Sequence, residues 1–185
     1  EAKVLVSIIA AASITNAEVN ITAGADTTVN KTLSELNLTS LKYAKVSVSE
    51  NVSANVTNAF LRFDYNETEL TNTNISEDTL AAYRYNSTNN KWEKLNSTIM
   101  GWVLDAGVNT TLNYVFANVT NFSDYGVGGL LENGKPCTSN NNSCGSGNCA
   151  QGFSNNNRWC APAGGCANDG TTYANGATTC NGNNL

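Results

Sequence analysis

All six cysteines of this chain, Cys137, Cys144, Cys149, Cys160, Cys166 and Cys180, fall in its last 49 residues, and the preceding 136 contain none. A segment that short cannot bury enough apolar surface to fold unaided, so it needs cross-links or a metal. Zinc favours C-x-x-C pairs or histidines, but the intervals here are six, four, ten, five and thirteen residues, and the chain has no histidine. Three disulfides are therefore expected, which points to an oxidising compartment, and the pairing stays open. The constraint divides the chain: the first part must be held by its own core, the second by cystine.

Asparagine dominates the first part. Residues 1–130 hold 18 Asn and 27 Ser or Thr, so chance placement would give about four N-x-[ST] sequons (18 × 27/130). There are twelve, beginning at Asn20, Asn30, Asn37, Asn51, Asn55, Asn66, Asn74, Asn86, Asn96, Asn109, Asn118 and Asn121. The last 55 residues, with 13 Asn and 9 Ser or Thr, contain a single one at Asn141. The excess is local and composition does not explain it. Dense N-glycosylation of an exported protein is expected, with N-linked glycans as a covalent modification and no cofactor. The competing reading is that Asn and Thr merely populate turns and exposed strand faces.

Charge excludes more than it suggests. Ten Lys and Arg against fifteen Asp and Glu give a net −5, with no basic stripe for a phosphate backbone, so nucleic acid is not an expected partner. Without histidine, serine triads, Cys-His nucleophiles and zinc hydrolases cannot be built. The acidic pairs Glu67/Glu69 and Glu77/Asp78 have the residue types of glycosidase carboxylates. Nothing in the sequence makes two of them converge, and turn-borne acids are usually solvated, so no enzyme and no catalytic residue is expected. Asn168-Asp169-Gly170 is too poor in acids for a calcium loop, and no metal is expected. Phe153, Trp159 and Tyr173 would form either a sugar-stacking platform or the only core of the cysteine segment, and the second reading is favoured.

Near the N-terminus an apolar run spans residues 4–14. Val4, Val6, Ile8, Ala10, Ala12 and Ile14 share one face of an extended chain, and Leu5 and Ile9 lie on the other. The run is too short for a membrane-spanning helix, which needs about 20 residues. It has the form of a signal-peptide core with Thr15-Asn16-Ala17 before Glu18, but is expected to persist as a long strand buried between neighbours. Further strands are expected over 19–22, 27–33, 41–48, 54–63, 80–85, 92–95, 102–104, 111–119 and 125–131, separated by Asn, Thr, Asp and Gly turns. Helix is limited to one short turn within 66–79. The expected fold is all-β, an Ig-like antiparallel sandwich. Its expected divisions are an N-terminal strand and linker at 1–17, the sandwich at 18–131, a linker at 132–136 and a disulfide module at 137–185.

Phe63-Asp64-Tyr65-Asn66-Glu67-Thr68-Glu69-Leu70, Leu80-Ala81-Ala82-Tyr83-Arg84-Tyr85-Asn86 with Trp92, and Asn118-Val119-Thr120-Asn121-Phe122-Ser123-Asp124-Tyr125-Gly126 together resemble a module of archaeal secreted and surface-layer-associated proteins. The resemblance covers residues 55–127 and implies an extracellular Ig-like sandwich without activity; the surface-anchoring tail of that group is replaced here by the cysteine segment. A glycan-decorated sandwich preceded by an apolar strand is also similar in arrangement to subunits of archaeal threads and bundling pili, which polymerise by donor-strand complementation. That likeness implies an extracellular homopolymer with Val4, Leu5, Val6, Ile8, Ile9, Ala10, Ala12 and Ile14 as the donor strand and residues 15–17 as inter-subunit linker. The alternative is a surface-displayed adhesion module that contacts glycans through its cysteine segment.

Overall fold

The computed structural model describes residues 3–24, 32–137, 144–146, 148–151, 158–163, 166–168 and 171–173. Asn30, Asn141, Phe153, Asp169 and Cys180, and the side chains of Cys166 and Tyr173, lie outside the described residues.

Among the described residues nine strands build the first part: β1 (Val4–Ala10), β2 (Val19–Gly24), β3 (Thr39–Val48), β4 (Val56–Asp64), β5 (Ala81–Asn86), β6 (Lys91–Lys94), β7 (Val103–Asn109), β8 (Tyr114–Val119) and β9 (Asp124–Gly129). They form two antiparallel sheets, a four-stranded one in the order β1-β4-β8-β7 and a five-stranded one in the order β2-β3-β9-β5-β6. The consecutive pairs β2–β3, β5–β6 and β7–β8 each stay in one sheet while the other connections cross between the sheets, and the two layers share one core, as expected of a sandwich. Period-two patterning sets which side chains enter it. Ala59, Leu61 and Phe63 of β4 and Val115, Ala117 and Val119 of β8 are wholly buried, with Ala44 and Val46 of β3 and Tyr125 and Val127 of β9 facing them from the other sheet. The Tyr125 hydroxyl donates to the Asn121 carbonyl at 2.6 Å, which pins the turn into β9.

The Gly126-Val127-Gly128-Gly129 run, inside the strand expected over 125–131, belongs to the central strand of the five-stranded sheet. Contact forces the choice of residue: a Cβ on Gly128 would lie 2.5 Å from the Thr39 carbonyl oxygen, and one on Gly126 3.1 Å from the Leu33 and Tyr43 side chains. Those side chains, with Tyr83 and Trp92, form a second apolar cluster on the outside of this sheet, roofed by the 3-10 turn Leu33–Leu36.

Two short helices depart from the strand pattern. α1 (Glu50–Asn55) lies where a strand is expected to begin, and α2 (Glu67–Thr73) opens on a capping box. Asn66 Oδ1 accepts from the Glu69 amide and Glu69 Oε2 accepts from the Asn66 amide, both at 2.9 Å. α2 closes one end of the sandwich, placing Leu70 in the core and Glu69 2.8 Å from Lys42 Nζ. Lys42 is 3% exposed and lies on the same side of β3 as Ala44 and Val46, so its charge is buried against the Glu69 carboxylate.

Among the described residues of the second part there are two small hairpins, β10 (Cys149–Gln151) with β11 (Arg158–Cys160) and β12 (Cys166–Asn168) with β13 (Thr171–Tyr173). Disulfides join Cys137 to Cys149 and Cys144 to Cys160. Their loops interleave along the chain, so each bond limits the motion allowed by the other. Residues 132–136 are tied at both ends: the Glu132 amide donates to the Asn74 carbonyl, the Gly134 amide donates to the Cys160 carbonyl of β11, and the Lys135 carbonyl accepts from the Cys160 amide. Leu131 bridges to Ile75 on one side and Cys144 on the other, docking the disulfide segment to the sandwich.

Candidate functional site

β1 is an edge strand. It pairs antiparallel with β4 of its own chain, from Val4 opposite Phe63 through Ala59 opposite Ile8, and a bulge between Ile9 and Ala10 turns it off the ladder. The last bond of this edge runs from the Ala11 amide to the Asn55 carbonyl at 2.9 Å. The strand is thus shorter than the expected run over 4–14, leaving Ala12 and Ile14 outside it, and it has one strand neighbour where two were expected. Physical sense follows from its faces: Val4, Val6 and Ile8 pack against the core, while Leu5 and Ile9 are 49% and 60% exposed. An exposed segment over 11–18, with Asn16 in the left-handed region at φ 55°, leads to β2 on the other sheet. Asn51 Nδ2 holds this segment to the body at the Thr15 carbonyl, 2.6 Å away.

None of the eleven described sequon asparagines is buried. Several also do the local work of turns. Asn37 and Asn74 are left-handed caps, Asn66 caps α2, and the side-chain oxygens of Asn86, Asn96 and Asn109 accept from amides two or three residues ahead. The carboxamide nitrogens of Asn51, Asn55, Asn86 and Asn109 already donate to protein oxygens. Turn chemistry does not account for Asn20 on β2 or Asn118 on β8, which sit within strands and face outward. Asn118 makes no side-chain hydrogen bond among the described residues.

Three of the four acidic residues singled out in the sequence have structural partners. Glu69 serves the capping box and Lys42; Glu77 Oε1 accepts from the Tyr65 hydroxyl at 2.7 Å; Asp78 accepts from Ser76 at 2.6 Å. Burial, the Glu77 hydrogen bond and the charges of Glu77 and Glu67 push the Tyr65 phenol well above its ordinary value. Burial also works against ionised Glu93, but hydrogen bonds from Asn86, Asn89 and Arg84 outweigh it and hold that carboxyl below the usual range. Cys137, Cys144 and Cys149 bring three sulfurs within 4.8 Å of one another, yet all three are committed to disulfides and are not thiolate ligands. Trp159 lies half-buried on β11, paired with Ala150 and bridged to Pro136, and its indole nitrogen is enclosed without a partner among the described residues.

No family model, curated protein or solved structure matches this chain. Among the described residues no helix is long and apolar enough to cross a membrane.

Proposed function

We propose that this protein is a structural subunit of an extracellular, N-glycosylated filament, in which β1 of one subunit takes the place of β1 in the next. The observation that carries the reading is the position of β1: it lies at a sheet edge and is attached to the body through a largely exposed segment of eight residues over 11–18. Such a segment reaches at most about 26–29 Å when extended, enough to lead a strand out of its own sheet. The register that pairs Val4 with Phe63 and Ile8 with Ala59 is available to any copy of the strand. Cis and trans pairing therefore make the same contacts and differ in linker strain and subunit concentration. Head-to-tail exchange of this kind gives an open chain of subunits. Disulfides support an oxidising, extracellular setting. A surface with sequon asparagines exposed or half-buried supports glycan attachment, and glycans would supply the solubility that a 14% charged fraction does not.

One observation favours a second reading. With β1 on its own β4 the sandwich is closed within a single chain, which suits a monomeric, surface-displayed adhesion module. Native material run without boiling separates the two. A filament gives an SDS-resistant ladder of subunit multiples, and deletion of residues 1–14 abolishes the ladder and lowers sandwich stability by about 3–4 kcal/mol, from three half-buried aliphatic side chains. A monomer in native material, with a deletion variant that melts like the full chain, overturns the filament reading.

A further inference from the structure

The two sheets differ in what covers their outer faces. On the five-stranded sheet, Tyr43, Tyr83 and Trp92 are roofed by the turn that carries Leu33 and are nearly inaccessible. On the four-stranded sheet, Phe60 and Phe116 are only half-buried, and on the same face Leu5 and Ile9 stand open to solvent. The two phenyl rings are stacked, with centroids 5.9 Å apart and planes at 28°. Phe116 leans over Gly107 of the neighbouring strand, where a Cβ would come within 3.1 Å of the ring. Tyr114 meets it edge-on at 6.1 Å, beneath the Arg62 guanidinium. A ring lying flat along a sheet presents its π-face outward, and an uncovered aromatic platform of this kind is a binding surface.

Asn118 stands on this platform. It is directly opposite Phe60 in the β4–β8 register and two residues beyond Phe116, so all three side chains share one face with neighbouring Cβ atoms roughly 5–7 Å apart. Of the thirteen sequon asparagines, Asn118 is the one preceded by an aromatic residue at that two-residue spacing. The geometry points to a specific occupant: the first pyranose of an N-glycan on Asn118 lies with its apolar C–H face on the Phe116 and Phe60 rings and roofs the four-stranded sheet as Leu33 roofs the other. This inference rests on the glycosylation reading above. It needs no second protein, because the attachment point is fixed by the sequon at the centre of the patch.

The test uses the full chain from its native cells, by glycopeptide mass spectrometry and thermal melting. Phe60→Leu removes a ring without altering the sequon, Asn118→Gln removes the glycan, and Asn20→Gln is a control on an exposed strand of the other sheet. The expected result is a glycan at Asn118, a Tm loss for Asn118→Gln larger by about 2–4 °C than for Asn20→Gln, and a Phe60→Leu loss that shrinks by a similar amount when Asn118→Gln is already present. Should the variants fail to accumulate, the wild-type protein decides by NMR: protons of the Asn118-linked sugar shift upfield in the ring currents relative to those of the Asn20-linked sugar. Additive losses, or unshifted sugar protons, overturn the stacking while leaving glycosylation standing. So does an unmodified Asn118 among glycosylated sequons, whereas glycan at no sequon overturns both readings.

Discussion

The sandwich and the disulfide segment solve the same problem by opposite means. The sandwich has no cysteine and closes around a continuous apolar core drawn from both sheets and α2. The second part has a cluster whose buried members are Cys144, Cys149 and Cys160, with Leu131 and Cys137 packed against them. One region is held by area removed from water, the other by covalent limits on its unfolded chain. The difference teaches that stability in this molecule is local in origin, and that the two halves should answer to different chemical insults.

The strongest challenge to that division is Leu61→Ala, at a wholly buried site on β4. It should destabilise the sandwich by about 3–4 kcal/mol in urea titration while both described disulfides stay closed to thiol reagents. Next in size, reduction should remove about 3 kcal/mol per closed loop from the disulfide segment and leave the urea midpoint of the sandwich in place. A sandwich that unfolds with the reductant would show that docking through Leu131 matters more than the core. Smaller still is the buried ion pair. Glu69→Ala strands the Lys42 charge and should lose about 2–3 kcal/mol, whereas Lys42→Met, which keeps the volume and removes the charge, should be close to neutral by the same titration.

The last and mildest lever is alkaline pH. Burial pushes the phenols of Tyr65, Tyr83 and Tyr125 above their ordinary value. Below about pH 10 these groups are neutral in both states and their contribution is fully present; above it the unfolded chain ionises first. Sandwich stability should therefore decline as pH rises past about 10, and a melting series from pH 8 to 11 on the Tyr65→Phe variant should show a shallower decline than the wild type.

Much of the sandwich is legible in the sequence because alternation reports a half-buried sheet. Tyr43-Ala44-Lys45-Val46-Ser47 and the β4 run display the two faces directly. Where reading fails, a tertiary contact overrides the local signal. Alanines 10–12 give no hint that the strand ends at Ala10, because the bulge that ends it depends on the facing β4. α1 escapes notice because residues 49–53 read as a turn between two strands, and Val52 and the Asn and Ser residues around it have low helix propensity. Lys42 looks like a solvent residue until α2 brings Glu69 to it. The disulfide pairing depends on a fold that the segment's own sequence barely encodes. Of the candidate site, sequon positions are plain in the sequence, but the platform around Asn118 needs the β4–β8 register, which joins residues 58 positions apart.

The antiparallel run of β1 along β4 also has a mechanical side. The chain leaves β1 at its Ala10 end, and tension drawn through residues 11–18 parallel to β4 would act along the ladder from Ile8 to Val4. The rungs are then loaded together in shear, and none can open without the others moving. Peeling from the side would break them one at a time under a much smaller force. A subunit linked to its neighbour through such a strand would resist pulling far better than its modest contact area implies, and would yield abruptly once it slipped.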